Sequence, residues 1–289
     1  MREEAIPVSH ACRVLGVSRS AYYQNQIEGP KRGLADGAAT LQIKVCFQAG
    51  QQAYGSRRIC QALKDKQIEN MGRFKVRRLM REAGLRPVWK RKFVHTTNSN
   101  HGLPVAPNRL NREFKQLSAN AAWVADITYI RTRQGWLYLA AVMDLYSRKI
   151  VGWAMAPNME KTLVISALRF AVQQRRPAPG LLMHSDQGSQ YASHDYQQEL
   201  ERNGMICSMS RRGNCWDNAV MERFFLNLKM ERVWRQEYAN HAEAERDIRD
   251  YIIAFYNTTR LNSVLGNLPP TVFERKMAAD LLIGVSEIT

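Results

Sequence analysis

Three carboxylates lie in sequence surroundings that could support chemistry with metal ions. Asp126 lies within the apolar segment WVADITYI, Asp186 ends GLLMHSD, and Glu222 lies among apolar residues in RRGNCWDNAVMERFF. A charge inside a buried strand costs roughly several kcal/mol unless it is paired or binds a cation. Each residue alone has a simpler explanation: Asp126 as a structural group, Asp186 as a turn cap, and Glu222 as a solvated acid at a helix start. Together, on a strand, a strand end and a helix, they could converge on hard cations.

Mg²⁺ prefers oxygen ligands and leaves room for water and substrate phosphates. Two such ions can activate the attacking oxygen and stabilise the leaving oxygen in an in-line displacement at phosphorus. The charge distribution favours a polymeric phosphodiester as the substrate. Residues 1–119 contain 22 Lys and Arg against 8 Asp and Glu, whereas residues 120–289 contain 20 against 18. A basic arm on a near-neutral body predicts nucleic acid as a partner, and a merely soluble basic surface is the alternative.

The elements that must position the carboxylates follow from hydrophobic periodicity. Three strands joined by short turns are predicted at WVADITYI, WLYLAAVMD and KIVGWAM, with QG at 134–135 as a hairpin-like turn. The pattern then predicts a helix at 162–174, a strand at 180–186, a helix at 194–204, a strand at 205–210 and a long helix at about 219–235. This order predicts an α/β layer fold in which helices flank a mixed five-stranded sheet.

The N-terminal part has a different, all-helical pattern. Residues 7–25 predict two helices with a turn at Gly16, and Ser18 could cap the second helix. This is the layout of a helix-turn-helix, although two short helices with a glycine turn occur in many folds. The following helices carry cations that could contact phosphates or enter a major groove, with a solvated face as the alternative. These cations are Arg57, Arg58, Arg73, Lys75, Arg77, Arg78 and Arg81.

Composition excludes several classes of protein. The five cysteines form no CxxC motif and the six histidines form no ligand pair, which indicates reduced thiols and argues against a zinc site. No apolar run approaches the roughly 18 residues of a membrane span, and the N-terminus has no long apolar region of a secretory signal. We therefore expect a cytoplasmic protein without a membrane partner.

The motifs around the three carboxylates resemble those of bacterial insertion-sequence transposases with a retroviral-integrase-like core. The segments WVADITYI, HSDQGSQYAS and RRGNCWDNAVMERFF resemble the three acidic motifs, and 35 residues separate Asp186 from Glu222, as in the DD35E spacing of that family. CRVLGVSRSAYY, MDLYSRKIVGW and YNTTRLNSVLGNLPP resemble further family segments. The resemblance extends over nearly the whole chain and is closest to proteins of the second reading frame of two-frame insertion sequences. One departure is Asn262, where the family usually has His.

The resemblance implies an RNase H-like integrase core preceded by an all-α helix-turn-helix region. The predicted divisions are a helix-turn-helix-like segment at 1–30, a basic helical DNA-binding domain at 31–95, a linker at 96–119, the catalytic core at 120–235 and a C-terminal helical extension at 236–289.

The resemblance also assigns roles to individual residues. Asp126, Asp186 and Glu222 match the catalytic triad that binds Mg²⁺ or Mn²⁺, with two ions expected in each active site. Lys229 matches the basic residue seven positions after the glutamate, and it could contact DNA because seven residues are almost two helical turns. An ordinary surface lysine is the alternative. His184, Asn218 and Trp216 are assigned supporting roles.

The sequence therefore predicts a DNA transposase that hydrolyses a phosphodiester at the element end and then joins the freed 3′-hydroxyl to target DNA. The alternatives are a metal-dependent nuclease on the same core and a DNA-binding repressor whose core is inactive. Expected partners are the terminal repeats of the element, target DNA and further copies of this chain. Related proteins can be made as a frameshift fusion, which adds an upstream-frame DNA-binding protein or fusion as an alternative to action alone. Such a protein is expected at the nucleoid.

Overall fold

The computed structural model describes residues 7–88, 103–211 and 215–286. The chain divides into two compact units, Met1–Pro87 and Val88–Thr289. Among the described residues, no helix combines the length and the apolar character that crossing a membrane requires.

The N-terminal unit begins with the predicted pair of helices. α1 spans Val8–Val14, and α2 spans Arg19–Ala49. Between them, Gly16 adopts a φ of 65°, and the hydroxyl of Ser18 accepts the backbone N–H of Ala21 at 3.1 Å to cap α2. Because α2 continues through residue 30, the predicted segments 1–30 and 31–95 share one helix.

Two shorter helices complete this unit. α3 spans Ser56–Asp65 and α4 spans Arg73–Glu82. Both are strongly amphipathic, and their apolar side chains are buried together with those of the second half of α2. The buried side chains are Ile43, Cys46, Phe47, Ile59, Leu63, Val76, Leu79 and Met80.

The second unit is built on a mixed sheet of five strands in the order β3-β2-β1-β4-β5. These strands are β1 (Ala122–Thr132), β2 (Gly135–Asp144), β3 (Ile150–Ala156), β4 (Leu182–Ser185) and β5 (Ile206–Met209). The first three form the predicted antiparallel meander, while β4 and β5 are parallel to β1. The structure thus confirms the predicted mixed α/β sheet.

Two apolar cores lie on opposite faces of this sheet, because successive side chains of a strand point to opposite sides. Trp123 and Ala125 of β1 pack with α5 (Lys161–Arg175), α6 (Ser189–Ala192) and α7 (His194–Arg202). α5 lies close to β3, since a Cβ atom on Gly152 would be only 2.4 Å from the carbonyl oxygen of Ala167. Glycine is therefore required at this position.

The opposite core contains Val124 and Ile130 of β1 together with the C-terminal helices. These helices are α8 (Ala219–Glu231), α9 (His241–Asp250) and a π-helical segment (Tyr251–Tyr256), and α10 (Pro270–Ser286) follows them in the chain. α8 is shorter than the predicted helix at 219–235, because Arg232 leaves the helical region with a φ of −132°. The end of α8 is tied to the C-terminal segment by a buried ion pair between Glu231 and Arg260 at 2.7 Å.

Candidate active site

The first two carboxylates lie at equivalent positions of neighbouring parallel strands. The ladder between β1 and β4 ends at the pair Val124 and His184. Asp126 and Asp186 each follow this pair by two residues, so both lie just beyond the last paired position of the two strands. Ligand sites in α/β sheets form at such carboxyl ends of parallel strands. The β1–β4 register therefore places the two side chains at the same edge.

Asp186 also stabilises the turn that follows β4. Its Oδ1 accepts the backbone N–H of Gly188 at 2.9 Å, and a Cβ atom on Gly188 would approach that oxygen to 3.0 Å. The predicted alternative of a turn cap is thus part of its role. One oxygen of the carboxylate is used locally by this hydrogen bond, which fixes the orientation of the group.

The third carboxylate reaches the site from the first turn of α8. Glu222 is half-buried there, where the positive end of the helix dipole favours an acid. The start of α8 is joined to β1 by Asn218, whose Nδ2 donates to the carbonyl oxygen of Ala125 at 3.2 Å. Ala125 immediately precedes Asp126. Asn218 thus links the helix that carries one carboxylate to the strand that carries another.

The three carboxylates belong to one electrostatic cluster. The pKa of Asp126 is raised well above its ordinary value, first by burial and then by the negative charges of Asp186 and Glu222. The backbone N–H of Ile127 and the charge of Lys229 oppose this shift. Like charges held near one another in a site of low polarity are stabilised by a cation.

The donor set fits Mg²⁺ or Mn²⁺, because it consists of carboxylate oxygens. Within residues 7–88, 103–211 and 215–286, no group of three or more His, Cys, Asp or Glu side chains is already arranged as a cation site. The three carboxylates therefore interact electrostatically, but their oxygens are not arranged as a complete cation site.

Lys229 lies on the same helix as Glu222 and close to the carboxylates. Its Nζ is 4.3 Å from the centre of the Tyr129 ring, a cation–π contact. Burial lowers the pKa of Lys229, and the negative charge of Asp126 partly opposes that change. Lys229 therefore lies within electrostatic range of Asp126, and its contact with DNA stays a prediction.

His184 is fully buried beneath the site, and both of its ring nitrogens are engaged. Nδ1 lies 2.9 Å from the hydroxyl of Ser208, and Nε2 lies 3.1 Å from that of Ser210. Ser208 already accepts the backbone N–H groups of Arg109 and Leu110, so its proton points to Nδ1 of the histidine. This arrangement assigns the proton of the neutral ring to Nε2. Burial lowers the pKa of His184 to about 4, which suits a structural role.

The loop before α8 contains a buried acid that the sequence did not indicate. Asp217 has no exposed side-chain surface, and its carboxylate accepts from Asn108 Nδ2 at 2.9 Å, Arg112 Nε at 2.8 Å and Arg211 N at 3.0 Å. Burial alone would raise its pKa, but these hydrogen bonds and the two arginine charges lower it overall. Neighbouring Trp216 is 69% exposed. In the sequence, the indication of this buried acid was its position between Trp216 and Asn218, two residues that were assigned supporting roles.

The predicted DNA-contacting cations of the N-terminal unit fall into three groups. Arg73, Arg77 and Arg81 are exposed and recur every four residues, so they share one face of α4. Lys75 and Arg78 instead face Asp36 of α2, at 3.6 Å and 2.7 Å. Two further cations lie on α3. Arg57 is exposed, and Arg58 lies 5.8 Å from the centre of the Tyr54 ring.

Family models match three parts of the chain. Models of an integrase core domain match residues 116–215 and residues 203–270, and a model of an HTH-like domain matches residues 35–93. Among solved structures, the catalytic core domain of BIV integrase aligns with a TM-score of 0.42 at 16% identity, over 56% of this chain and 99% of that chain. The magnesium complex of the HTLV-2 integrase core (trimeric form) aligns with a TM-score of 0.44 at 15% identity, over 55% of this chain and 99% of that chain.

Full-length relatives are more similar. An uncharacterised 31 kDa protein of insertion element IS600 from Shigella sonnei is 47% identical over 92% of this chain and 97% of its own length. The transposase InsF for insertion sequence IS3A from Escherichia coli (strain K12) is 36% identical over 93% of this chain and 94% of its own length. Both relatives align over nearly their whole length, and integrase-core and HTH-like models match this chain, so the chain belongs to the insertion-sequence transposases that include InsF of IS3.

Proposed function

We propose that this protein cuts phosphodiesters at the ends of an insertion sequence and joins the freed ends to target DNA, using Asp126, Asp186 and Glu222 with divalent cations. The observation that carries the proposal is the register of β1 and β4, which gives the two aspartates equivalent positions while Glu222 adds its charge to the same cluster. Bound Mg²⁺ or Mn²⁺, two ions in our proposal, would supply charge neutralisation and activation of the attacking oxygen.

The protein groups have defined tasks in the two steps. In the first step, water attacks a phosphodiester, a P–O bond forms, and the DNA 3′-oxygen leaves and takes a proton. In the second step, that 3′-hydroxyl loses its proton as it forms a P–O bond to another phosphodiester, and the displaced 3′-oxygen of that phosphodiester takes a proton, so the number of phosphodiester bonds is conserved. The carboxylates hold the reacting groups in line, and Lys229 neutralises phosphate charge beside them. Placement and charge neutralisation are the main needs of phosphoryl transfer, so no covalent intermediate on the protein is required.

DNA binding by the N-terminal unit completes the proposal. The exposed face of Arg73, Arg77 and Arg81 is suited to phosphates, because it presents three cations along one side of a helix. Arg57, Arg58, Lys75 and Arg78 are further proposed contacts. Lys75 and Arg78 would have to exchange Asp36 for phosphate, or else act as a brace between α2 and α4.

The assembly and its location follow from the same reaction. Two ends of one element must be joined together, so we infer a homo-oligomer on DNA that binds terminal repeats and target. The name of the InsF relative supports this reading of the substrate. An upstream-frame DNA-binding protein or a frameshift fusion is a proposed further partner, and the nucleoid is the proposed location.

The test is a strand-transfer assay with labelled element ends, target DNA and Mg²⁺ or Mn²⁺. Asp126→Asn should lower joining by about 10³-fold, because loss of a ligand removes several kcal/mol of charge stabilisation. Asp195→Asn is the matched control, since Asp195 is a half-exposed acid on α7 that pairs with Lys161 at 2.6 Å. Unchanged thermal unfolding of the second unit in both variants shows that they are folded.

Three results would contradict the proposal. If the Asp126→Asn protein joined DNA as efficiently as the unchanged protein, the assignment of Asp126 to the site would be wrong. Hydrolysed ends without joined product from the unchanged protein would favour the nuclease. Sequence-specific binding without any cleavage, under conditions that support related transposases, would favour the repressor.

A further inference from the structure

The tip of the β1–β2 hairpin carries an exposed surface that the proposed reaction does not yet use. β4 pairs with β1 only as far as Val124, so the second half of β1 extends beyond β4 and pairs with β2 alone among the sheet strands. Arg131 of β1 lies opposite Trp136 of β2, and Tyr129 lies opposite Tyr138. Residues two apart on a strand share a face, so Tyr129, Arg131 and Trp136 lie on one side of the hairpin.

These side chains form a continuous series that starts at the carboxylates. Lys229 lies within the field of Asp126 and contacts the Tyr129 ring at 4.3 Å. The Tyr129 ring in turn packs edge-to-face against Trp136, with ring centres 5.1 Å apart and planes at 86°. Cation, aromatic ring and indole are thus in contact one after another, from Lys229 near Asp126 to the hairpin tip.

The indole at the end of the series is 47% exposed. It borders an open cavity of about 420 Å³ that is lined also by Arg131, Thr132, Arg133 and Gly135. Arg133 is held by Glu237 at 3.1 Å, whereas Arg131 is the exposed cation directly opposite the indole. The cavity therefore combines an aromatic face with cationic walls and one acid at its edge.

An accessible indole beside an exposed arginine is the combination that binds unpaired nucleotides, because a base stacks on the ring while the cation contacts its phosphate. A duplex buries its base faces in its own stack, except at its two ends, and offers none to the indole along its length. We propose that Trp136 and Arg131 bind an unpaired nucleotide of the DNA strand that leaves the active site. This inference rests on the proposed function, since it names where the substrate strand goes.

The length of β1 limits which nucleotide this is. Arg131 lies five positions after Asp126, which corresponds to roughly 17 Å along a strand. At about 3.4 Å per nucleotide, a stacked strand covers this distance in roughly five nucleotides, and a stretched strand needs fewer. The bound base therefore lies within about five nucleotides of the reacting phosphate.

The experiment measures DNA affinity by fluorescence anisotropy in an Asp126→Asn background without divalent cations, so that catalysis plays no part. The probes are one element-end duplex, made blunt or with an unpaired extension of two, five or eight nucleotides. Trp136→Leu keeps an apolar side chain but removes the stacking face, and Trp136→Phe restores an aromatic ring. Arg202→Ala is the control for loss of an exposed arginine, since Arg202 lies on α7 with 66% of its side chain exposed.

We expect Trp136→Leu to lower affinity for the five- and eight-nucleotide extensions by about 5- to 150-fold, with little change for the blunt duplex. Trp136→Phe should recover most of this loss, Arg131→Ala should weaken binding and its salt dependence, and Arg202→Ala should do neither. Equal losses for blunt and extended DNA, or no loss for either, would overturn the inference. If the Trp136 variants bind extended DNA normally and the unchanged protein still joins DNA, only this nucleotide subsite is contradicted. If the Asp126→Asn protein joins DNA, the proposed function itself is contradicted.

Discussion

Glu231→Gln should destabilise the second unit more than other single changes on α8. Glu231 and Arg260 are each 4% exposed, and the carboxylate accepts from the guanidinium at 2.7, 2.8 and 3.0 Å. The hydroxyl of Tyr251 adds a further hydrogen bond at 2.6 Å. The neutral amide would leave the buried charge of Arg260 uncompensated, which costs about 3–5 kcal/mol.

This cost corresponds to a fall of about 6–20 °C in Tm, because a unit of this size loses about 2–4 °C for each kcal/mol. The measurement is scanning calorimetry without DNA or divalent cations, with the transition of the second unit followed by near-UV circular dichroism. The cost arises from the unpaired charge rather than from a lost attraction. Replacing Glu231, Arg260 and Tyr251 together by Leu, Met and Phe should therefore recover stability to within about 2 kcal/mol of the unchanged protein.

Two results would refute this reasoning. One is a Tm loss below about 3 °C for Glu231→Gln, which would show that water reaches the guanidinium and solvates it. The other is a triple variant that is as unstable as the single one, which would show that shape rather than charge governs this region. Tyr251→Phe supplies the intermediate case, with an expected loss of about 1.5–3 kcal/mol for one hydrogen bond to a charged group.

Two further predictions concern the start of α8 and the C-terminal helix. Asn218→Ala should lower strand transfer by about 10²-fold, because a displacement of roughly 1 Å at a reacting group has that effect, while unfolding free energy falls by only about 0.5–1.5 kcal/mol. Equal fractional loss of binding, stability and joining would contradict the assignment of a positioning role. Burial alone would raise the pKa of Glu274, but Arg175 and Lys149 hold it below its ordinary value of 4.5. Glu274→Gln should therefore cost about 1–3 kcal/mol near pH 7, and the difference should vanish as pH falls below the folded pKa, as followed by urea unfolding. A constant difference from pH 7 to pH 3 would contradict this sign.

The sequence predicted the strands and helices of the second unit because their signals are local. The apolar run WVADITYI predicts β1, and the turn at 134–135 predicts the hairpin. The charge of Asp126 within that run was visible for the same reason. The convergence of Asp126 and Asp186 with Glu222 was predicted from their positions and from the family resemblance, but the equivalent register positions of the two aspartates were not, because the register of parallel strands depends on how the intervening chain packs.

Non-local ion pairs explain what the sequence missed. Asp217 accepts hydrogen bonds from Asn108 and Arg112, more than 100 positions away, so its partners could not be identified from the residues around it. Leu110 is 1% exposed within the second unit although it lies in the polar stretch predicted as a linker. Arg78 was predicted as a phosphate contact from local charge density alone, and its partner Asp36 lies in another helix.

The placement of α8 determines how the carboxylates meet. Asn218 ties its start to β1 beside Asp126, and Glu231 ties its end to the C-terminal segment. Glu222 lies about one helical turn after the first anchor, and Lys229 lies within one turn of the second. A change at Asn218 therefore displaces a carboxylate, whereas a change at Glu231 first displaces the lysine that contacts Tyr129. Because this helix carries both groups, a single shift of α8 along β1 would alter the proposed cation binding and the proposed contact with the departing strand together.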